Sequence, residues 1–340
     1  MSRYFVTGGA GFIGSNLVDR LLADGHFVTA YDNFSTGRRP FIESALRAPN
    51  FQLIEGDTLD LSALAGAVKG HDMVFHFAAN ADVRFGADHP RRDLEQNTIA
   101  THNVLEAMRT TGVKRIAFSS TGSVYGEPDV FPTPECCPFP IQTSLYAASK
   151  LACEGMISAY SAAFGFRAVI FRFVSILGER YSHGHVYDFY RQLSADPTQI
   201  RVLGDGQQRK SYLYVQDCID GILTAIDRTD QPVGLFNLGA EEYCRVNDSL
   251  DWICYKLGVN PARHYAGGSR GWVGDSPFIF LETARIRSFG WRAKVSIRDG
   301  VERTLDYLRE NPWLFEHQSA ATPVGSASRT DSSAGKTIIR

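Results

Sequence analysis

Short apolar runs alternate with amphipathic stretches over the first 175 residues, and this alternation constrains the fold more than any other feature of the chain. The stretch 91–110 carries apolar residues at the three- and four-residue spacing of a helix, and 14–23, 61–68 and 144–164 are also interpreted as helices. Between these segments lie apolar runs that are typical of strands, at 4–6, 27–31, 52–54, 73–77, 115–119 and 168–173. Strands that alternate with helices favour a parallel sheet covered on both faces. The sequence therefore predicts a doubly wound α/β fold.

Composition excludes several other classes of protein. The 340 residues carry a net charge of −2, and 44% of them are hydrophobic, which fits neither a disordered chain nor a nucleic-acid-binding protein. No run approaches the roughly 18 apolar residues of a membrane span, and the N-terminal residues lack the pattern of a signal peptide, so we expect neither. Six cysteines without a Cys-x-x-Cys pair indicate reduced thiols and a cytoplasmic protein. His183 and His185 flank Gly184, but no His-x-x-x-His pair exists and we predict no metal site.

A glycine-rich turn follows the first predicted strand and precedes the first predicted helix. It reads Thr-Gly-Gly-Ala-Gly-Phe-Ile-Gly at 7–14, and its glycines allow a pyrophosphate to approach the backbone and the N-terminal N–H groups of the helix. Asp32 ends the second predicted strand 18 residues after Gly14. An acid at this position accepts hydrogen bonds from the adenosine ribose and repels a 2′-phosphate. The sequence thus predicts a Rossmann-type site for NAD in preference to NADP.

Tyr146 and Lys150 stand four residues apart, which places them on one face of a helix. An ammonium beside a phenol favours the phenolate, as does the positive nicotinamide ring, so we expect the pKa of Tyr146 to fall from about 10 toward neutral. Thr121 ends the fifth predicted strand, where a parallel sheet delivers side chains to its carboxyl-end crevice. The three residues form a set for removing the proton of a sugar hydroxyl. Taken alone, the Tyr–Lys pair would be interpreted as two exposed polar residues on a helix, and it is Thr121 that favours the catalytic interpretation.

The alternation of elements ends after Ser175 and returns at 212–238. We therefore predict that residues 1–175 and 212–238 form the NAD-binding domain. Residues 176–211 and 239–316 are assigned to a smaller, mixed α/β domain that binds the substrate. Residues 317–340 are rich in Ser, Ala, Thr and Gly without a periodic apolar face, and we predict a disordered tail.

With these residues assembled, the chain resembles the extended short-chain dehydrogenase/reductase family over residues 3–312. Within that family it is most similar to the epimerases that interconvert UDP-glucose and UDP-galactose at C4. The motifs that carry the resemblance are the turn at 7–14, Tyr-Asp-Asn at 31–33, Gly-Asp at 56–57, His-Phe-Ala-Ala at 76–79, Ser-Ser-Thr-Gly-Ser-Val-Tyr-Gly at 119–126, Tyr146-x-x-x-Lys150, Gly-Asp-Gly at 204–206 with Tyr-Leu-Tyr-Val at 212–215, and Arg-Gly-Trp-Val-Gly-Asp at 270–275.

The resemblance implies a role for each matching residue. Thr121, Tyr146 and Lys150 would be catalytic. The implied NAD site consists of Gly8, Gly11, Phe12, Ile13, Gly14, Asp32, Asn33, Ser35, Thr36, Gly37, Asp57, Thr58, Phe77, Ala78, Ala79, Asn97, Tyr146, Lys150 and Phe173. The implied site for a UDP-hexose consists of Arg84, Thr121, Tyr146, Ser175, His185, Lys210, Arg270, Asp275 and Ile279. The resemblance also implies a homodimer formed by two helices of each subunit, here 91–110 and 144–164.

The chain departs from the family pattern in its substrate half. Ser175 stands where the family has an Asn that helps to hold the substrate phosphate, and His185-Val186 and Lys210-Ser211 replace the usual Asn-Leu and Arg-Asp. Arg84 is an additional basic residue that serves either as a surface charge or as a substrate contact. These changes leave open an epimerase for another nucleotide sugar, either UDP-N-acetylglucosamine or UDP-glucuronate, and a non-catalytic NAD-binding scaffold is the alternative outside enzymes.

Two further positions bear on the reaction. Dehydratases of the family carry an Asp-Glu pair in the segment where this chain has Thr121-Gly122, and glycine can act as neither acid nor base. The chain is therefore equipped for reversible oxidation at C4 and not for elimination. In the epimerase pattern the fourth residue after Asp275, here Ile279, lies beside the C2 substituent of the sugar. Ile279 is interpreted either as this gate or as a core residue of an apolar strand.

Overall fold

A computed structural model describes residues 1–80, 86, 88–138, 141–272 and 274–318 of the chain. Its strands are β1 (Arg3–Thr7), β2 (Phe27–Asp32), β3 (Phe51–Glu55), β4 (Met73–His76), β5 (Arg115–Thr121), β6 (Arg167–Phe173), β7 (Ser175–Leu177), β8 (Gln199–Val202), β9 (Arg209–Lys210), β10 (Tyr212–Tyr214), β11 (Val233–Leu238), β12 (Cys244–Arg245), β13 (Ala262–Tyr265) and β14 (Phe278–Ile279). Its helices are α1 (Phe12–Ala23), α2 (Leu61–Val68), α3 (Pro90–Asp93), α4 (Ala100–Thr111), α5 (Leu145–Phe164), α6 (His185–Ala195), α7 (Val215–Arg228), α8 (Val246–Leu257), α9 (Ala284–Arg287) and α10 (Ile297–Glu310).

Among the described residues, seven strands form one parallel sheet in the order β11-β6-β5-β4-β1-β2-β3. The predicted doubly wound α/β fold is confirmed. Both faces of the sheet are buried, since neighbouring residues of one strand enter different cores. Phe5 of β1 lies in the same core as Val104 of α4, whereas Val6 lies in the core of Leu17 of α1. This alternation follows from the two-residue period of a strand.

A third core lies outside the sheet and draws its residues almost entirely from the C-terminal half. It joins buried residues of α6, α8 and α10, among them Val186, Leu250 and Leu305. Small sheets flank it, with β10 paired to β7, β13 to β8, and β12-β9-β14 as a three-stranded unit. Within 212–238, which the sequence suggested as a return to the first sheet, β11 joins the central sheet and β10 does not.

Two segments differ from the sequence expectation. The expected helix at 91–110 is divided into α3, a π-helical stretch (Leu94–Ile99) and α4. The segment 178–206, to which the sequence assigned no regular element, contains α6 and β8. Its Gly, His, Tyr and Arg content hides the spacing of the buried side chains that hold α6 against the third core.

The carboxyl ends of the parallel strands meet at one edge of the sheet. Thr7, Asp32, His76, Thr121 and Phe173 are the last residues of β1, β2, β4, β5 and β6. Ligand sites in open parallel sheets lie outside this edge. Among the described residues, none of the helices combines the length and apolar character needed to cross a membrane.

Candidate functional site

The glycine-rich turn packs so closely that side chains are excluded. Gly8 has a φ of 69°, and a Cβ there would stand 2.7 Å from the backbone nitrogen of Ala78. A Cβ on Gly14 would overlap the carbonyl oxygen of Gly8. Gly11 precedes α1, so no capping side chain covers the first N–H groups of that helix. These exposed donors, together with the positive end of the helix, suit a pyrophosphate.

Asp32 is 8% exposed and holds the turn in place. Its carboxylate accepts the N–H groups of Ala10 at 2.9 Å and Phe34 at 2.8 Å. Burial raises the pKa of Asp32, and the two backbone hydrogen bonds oppose that shift. A Cβ on Gly37 would lie 2.6 Å from a carboxylate oxygen of Asp32, so the 35–37 loop folds over this acid. The placement fits a carboxylate that receives ribose hydroxyls.

The loop that follows β3 is held beside Asp32 by a short set of hydrogen bonds. The Asn33 amide donates to the Asp57 carboxylate at 3.0 Å, and the N–H of Ser35 donates to the Asn33 side chain at 3.0 Å. Thr58 is buried, and its carbonyl accepts the Asn103 amide at 3.0 Å. The guanidinium of Arg39, a cation near the ribose end, pairs with Glu55 at 2.6 Å. The structure thus gathers the residues expected at the adenosine end, with Thr36 in the same loop.

The loop after β4 forms the other wall of the crevice. The Thr7 hydroxyl accepts the N–H groups of Phe77 and Ala78, each at 3.2 Å, which brings Ala78 against Gly8. Asn97 lies in the π-helical stretch, accepts the N–H of Asn80 at 2.9 Å and donates to the Ser149 hydroxyl at 2.9 Å. Stretches of π-helix are frequent at functional sites. Here the widened turn lets Asn97 connect the loop that contains Ala79 with helix α5.

Thr121, Tyr146 and Lys150 meet at the carboxyl edge of the sheet. Tyr146 is half-buried beside Thr121, whose hydroxyl donates to the Ser123 hydroxyl at 3.2 Å and is close enough to the phenol to lower its pKa. Lys150 is 2% exposed, donates to the carbonyl of Ser119 at 2.8 Å and lies 4.7 Å from the ring centre of Phe118. Burial lowers the pKa of Lys150 to about 8. Phe173 is paired in register with Thr121, which places it beside this group.

We expected Lys150 to lower the pKa of the Tyr146 phenol. This expectation is wrong when only the groups of the protein, without the cofactor, act on the phenol. Burial raises the pKa of Tyr146 above its ordinary value, and the nearby charge of Asp93 raises it further. The hydrogen bond with Thr121 lowers it, but by less. Lys150 donates to the Ser119 carbonyl instead, and desolvation of the phenolate outweighs the remaining interactions. The side chains of the chain therefore hold Tyr146 protonated.

Three expected substrate residues form one cluster in the second half of the chain. Lys210 is buried and pairs with the Asp275 carboxylate at 2.6 Å, and Arg270 donates to the backbone carbonyl of Asp275 at 2.7 Å. The guanidinium of Arg270 also pairs with Glu127 at 2.6 Å. Burial lowers the pKa of Lys210, and the adjacent Asp275 carboxylate opposes that shift. Asp275 thus orients both cations of this expected diphosphate site.

The other expected substrate residues lie nearby in the fold. Ser175 is exposed at the start of β7 and pairs in register with Tyr212. His185 begins α6, hydrogen-bonds the Ser249 hydroxyl at 2.7 Å and packs 4.7 Å from the Tyr212 ring. Burial, with the Lys210 charge, lowers the pKa of His185 to about 3, so it offers a hydrogen bond and no positive charge. The predicted contact Arg84 and the tail from residue 319 onward lie outside the described residues. The predicted start of the disordered tail at 317 is wrong, because a 3-10 helix (Pro312–Gln318) extends through residue 318.

Ile279 lies close to the catalytic group. It pairs in register with Lys210, and its Cγ2 is 3.4 Å from where a Cβ on Gly122 would stand. Ile279 is half-buried and also packs against the core that contains Leu281. Its position is therefore compatible with both interpretations made from the sequence.

Sequence reasoning missed a buried polar group next to Tyr146 and Lys150 on helix α5. Glu154 and Arg172 form an ion pair at 2.6 Å, with side chains 7% and 2% exposed. Two signals pointed to it: Glu154 continues the four-residue spacing of Tyr146 and Lys150, and Arg172 interrupts an apolar strand.

Comparisons with known proteins agree with this geometry. The NAD dependent epimerase/dehydratase family matches residues 4–239. The UDP-glucose 4-epimerase of Mycolicibacterium smegmatis is 32% identical over 318 residues, covering 90% of this chain and 98% of that protein. A crystal structure of a UDP-galactose 4-epimerase superposes with a TM-score of 0.82 at 39% identity, covering 92% of this chain and all of the other. The UDP-glucuronic acid 4-epimerase of Bacillus cereus, in complex with UDP-glucuronic acid and NAD, gives 0.83 at 26% identity over 91% of this chain and 99% of its own.

The chain belongs to the NAD-dependent epimerase/dehydratase family, and its cofactor is NAD. The Rossmann-type turn, Asp32 and the Tyr–Lys pair are the features of this chain that fit that cofactor.

We expect Gly14→Ala to raise the dissociation constant for NAD more than tenfold, which is about 1.4 kcal/mol. The added methyl overlaps the Gly8 carbonyl and forces the turn open. Gly66→Ala is the matched control, because a Cβ at Gly66 in α2 meets nothing within 4 Å. Titration of each variant with NAD measures the effect. Equal affinities for the two variants would show that the turn does not hold the pyrophosphate.

Proposed function

We propose that this chain is an NAD-dependent nucleotide-sugar 4-epimerase whose substrates are UDP-glucose and UDP-galactose. The observation that carries the proposal is the meeting of Thr121, Tyr146 and Lys150 at the carboxyl edge, beside the glycine-rich turn and Asp32. The similarity to epimerases of these two sugars supports the choice of substrate.

In the proposed reaction, Tyr146 removes the proton of the sugar C4 hydroxyl as general base. NAD⁺, once bound, would supply the acceptor for the C4 hydride and a positive charge that favours the phenolate. Thr121 would hydrogen-bond the C4 oxygen and hold the phenol in line. Lys150 would hold the nicotinamide ribose. Tyr146 then returns the proton after the 4-keto sugar has turned its other face, while Lys210 and Arg270 keep the diphosphate in place.

The packing around Gly122 opposes a dehydratase reaction. A Cβ at this position would stand 3.2 Å from Leu281 Cδ1 and 3.3 Å from the Phe173 carbonyl oxygen. An acidic side chain at this position would have to displace Leu281 or the Phe173 backbone. The site therefore supports hydride transfer in both directions at C4 and lacks the additional acid that elimination requires.

The domain division and the dimer are parts of the same proposal. The third core, formed by elements after residue 176, supports a separate substrate-binding domain. The helices expected to join two subunits expose apolar side chains, namely Leu94, Ile99, Leu145 and Phe164, each 40–51% exposed. Exposed apolar side chains on both helices are compatible with contact to a second copy of the chain.

We expect the purified chain to retain NAD and to interconvert UDP-glucose and UDP-galactose without added cofactor. The hydride removed at C4 returns to the same sugar, so no reductant is consumed. Product analysis by NMR across a panel of nucleotide sugars, with absorbance at the NADH band, tests this. A 4-keto-6-deoxy product, or NADH accumulating at the pace of turnover, would contradict the proposal. Binding without turnover of any sugar would favour the scaffold alternative.

We expect Tyr146→Phe to lower kcat by about 10²- to 10⁴-fold, the usual contribution of a general base. NAD should remain bound, because the turn and Asp32 are unchanged. Lys150→Ala should lower kcat and also weaken NAD binding. Tyr255→Phe in α8, 80% exposed, is the control. A Tyr146→Phe enzyme with more than about half of the original rate would place the base elsewhere.

We expect weak activity on UDP-N-acetylglucosamine beside stronger activity on UDP-glucose, because Ile279 lacks the ring of a Tyr at the gate. Ile279→Tyr should suppress the first activity more than the second. Discrimination by pocket shape is worth about 1–3 kcal/mol, or 10- to 200-fold. The ratio of kcat/KM for the two sugars in both proteins measures the effect. An unchanged ratio assigns Ile279 to the core alone.

A further inference from the structure

One face of helix α5 makes three successive contacts with the end of β5. The Tyr146 phenol lies beside the Thr121 hydroxyl, and Lys150 donates to the carbonyl of Ser119 at 2.8 Å. One turn further along the helix, the Ser120 hydroxyl donates to the Glu154 carboxylate at 2.5 Å. The three helix residues are spaced by four, so one face of the helix presents them together. The contact made by Glu154 therefore fixes the same helix–strand interface that contains the catalytic pair.

Glu154 is also held by a cation on the neighbouring strand. Arg172 donates to the two carboxylate oxygens of Glu154, from Nε at 3.0 Å and from Nη2 at 2.6 Å. Arg172 of β6 lies opposite Ser120 of β5 in the sheet register. The carboxylate thus closes a three-element contact between α5, β5 and β6. A bidentate pair of this kind fixes direction as well as distance.

The guanidinium has further partners that restrict its position. It lies 4.6 Å from the ring centre of Tyr125. The Tyr125 hydroxyl donates to the Asn237 side chain at 2.8 Å, and the Asn237 amide donates to the carbonyl of Thr133 at 2.9 Å. This chain of contacts ties the Glu154–Arg172 pair to β11 and to the segment after β5.

A buried ion pair is weak evidence for stability, because desolvation of both ions offsets their attraction. Packed apolar side chains would join helix to sheet at least as well. The pair differs from apolar packing in its directionality, which fixes how far α5 slides and turns against β5. We propose that Glu154, held by Arg172 and Ser120, is a positioning residue that sets the helix register at which Tyr146 meets Thr121 and Lys150 meets Ser119. The inference rests on the proposed function for its kinetic consequence alone.

The pair also acts on Lys150 through its charge. Burial lowers the pKa of Lys150, and the charges of Cys153, Glu154 and Asp93 oppose that shift. From β4, His76 faces the ammonium with its pKa lowered to about 3, so it adds no charge near neutral pH. Tyr146 on the same face is protonated, and Arg172 lies behind Glu154. Neutralising Glu154 removes one of the acids that favour the ammonium and leaves the Arg172 cation uncompensated, so both effects lower the pKa of Lys150.

The kinetic experiment compares Glu154→Gln with Tyr160→Phe. The control removes a different anchor of the same helix, the 2.6 Å hydrogen bond from the Tyr160 hydroxyl to Glu106. We expect Glu154→Gln to lower kcat by about 10- to 100-fold, the usual consequence of a misplaced catalytic group, with KM for UDP-glucose changed less than about threefold. Tyr160→Phe should leave kcat within about twofold. Equal losses in the two variants would reduce Glu154 to a general support of α5 and overturn the proposal.

A second measurement needs no sugar substrate. In protein labelled with ¹⁵N-lysine, the Nζ signal of Lys150, assigned with Lys150→Arg, is titrated with pH. We expect the midpoint to move to lower pH in Glu154→Gln and to stay in place in Tyr160→Phe. An unmoved midpoint in Glu154→Gln would overturn the proposal. If Glu154→Gln does not fold, the kinetic experiment uses Ser120→Ala instead, which removes one hydroxyl from the same contact. A loss of kcat equal to that of Tyr160→Phe would again overturn the proposal. If the unmodified chain turns over neither sugar, the proposed function fails and the titration alone decides the role of Glu154.

Discussion

A parallel sheet that is buried on both faces leaves its strand ends as the places where polar side chains can meet a ligand. Here β1, β5 and β6 send alternate residues into two different apolar cores. Thr7, Asp32 and Thr121 end three of the strands and lie at the same edge. Backbone topology therefore brings the glycine-rich turn, Asp32 and the Thr121 hydroxyl to one edge, and the Asp32 carboxylate in addition accepts the N–H of Ala10 in the turn. Helix α5 must also be held at one position along that edge. In our proposal, Glu154 and Arg172 hold it there.

The sequence predicted those parts of the molecule that local pattern determines. The glycine spacing at 7–14 required a close turn, and the structure shows Gly8 against Ala78 and Gly14 against Gly8. Asp32 ends β2 as predicted. The apolar run of the strand and the polar residue that ends it are both local features of the sequence. Ser296 caps helix α10, and the N–H that its hydroxyl accepts, at 3.1 Å, belongs to Asp299 only three residues further on. Each of these features depends on residues within a few positions of one another.

Features that depend on distant partners could not be read in this way. The π-helical stretch that divides 91–110 contains Asn97, whose partners Asn80 and Ser149 are 17 and 52 residues away. Lys210 and Asp275 are 65 residues apart, and nothing in either local pattern indicates that they form one buried pair. The direction of the Tyr146 shift was missed for the same reason. Spacing showed that Lys150 shares its helix face, but the desolvation of the phenol comes from the whole surrounding fold.

Burial drives the ionisable groups around the catalytic residues toward their neutral forms. It raises the pKa of Tyr146, lowers that of Lys150 to about 8 and lowers that of His76 to about 3. A phenol in this setting ionises only when an additional positive charge is close. In the proposed reaction the oxidised cofactor carries that charge and the reduced cofactor does not. In that reaction Tyr146 would be a phenolate while the sugar is an alcohol and the cofactor is oxidised, and a phenol, holding the C4 hydroxyl proton, once the sugar is a ketone and the cofactor is reduced. In the proposed reaction, the burial that disfavours the phenolate would couple the proton on Tyr146 to the redox state of the cofactor, so that the C4 hydroxyl proton and the C4 hydride would leave the sugar together and return together.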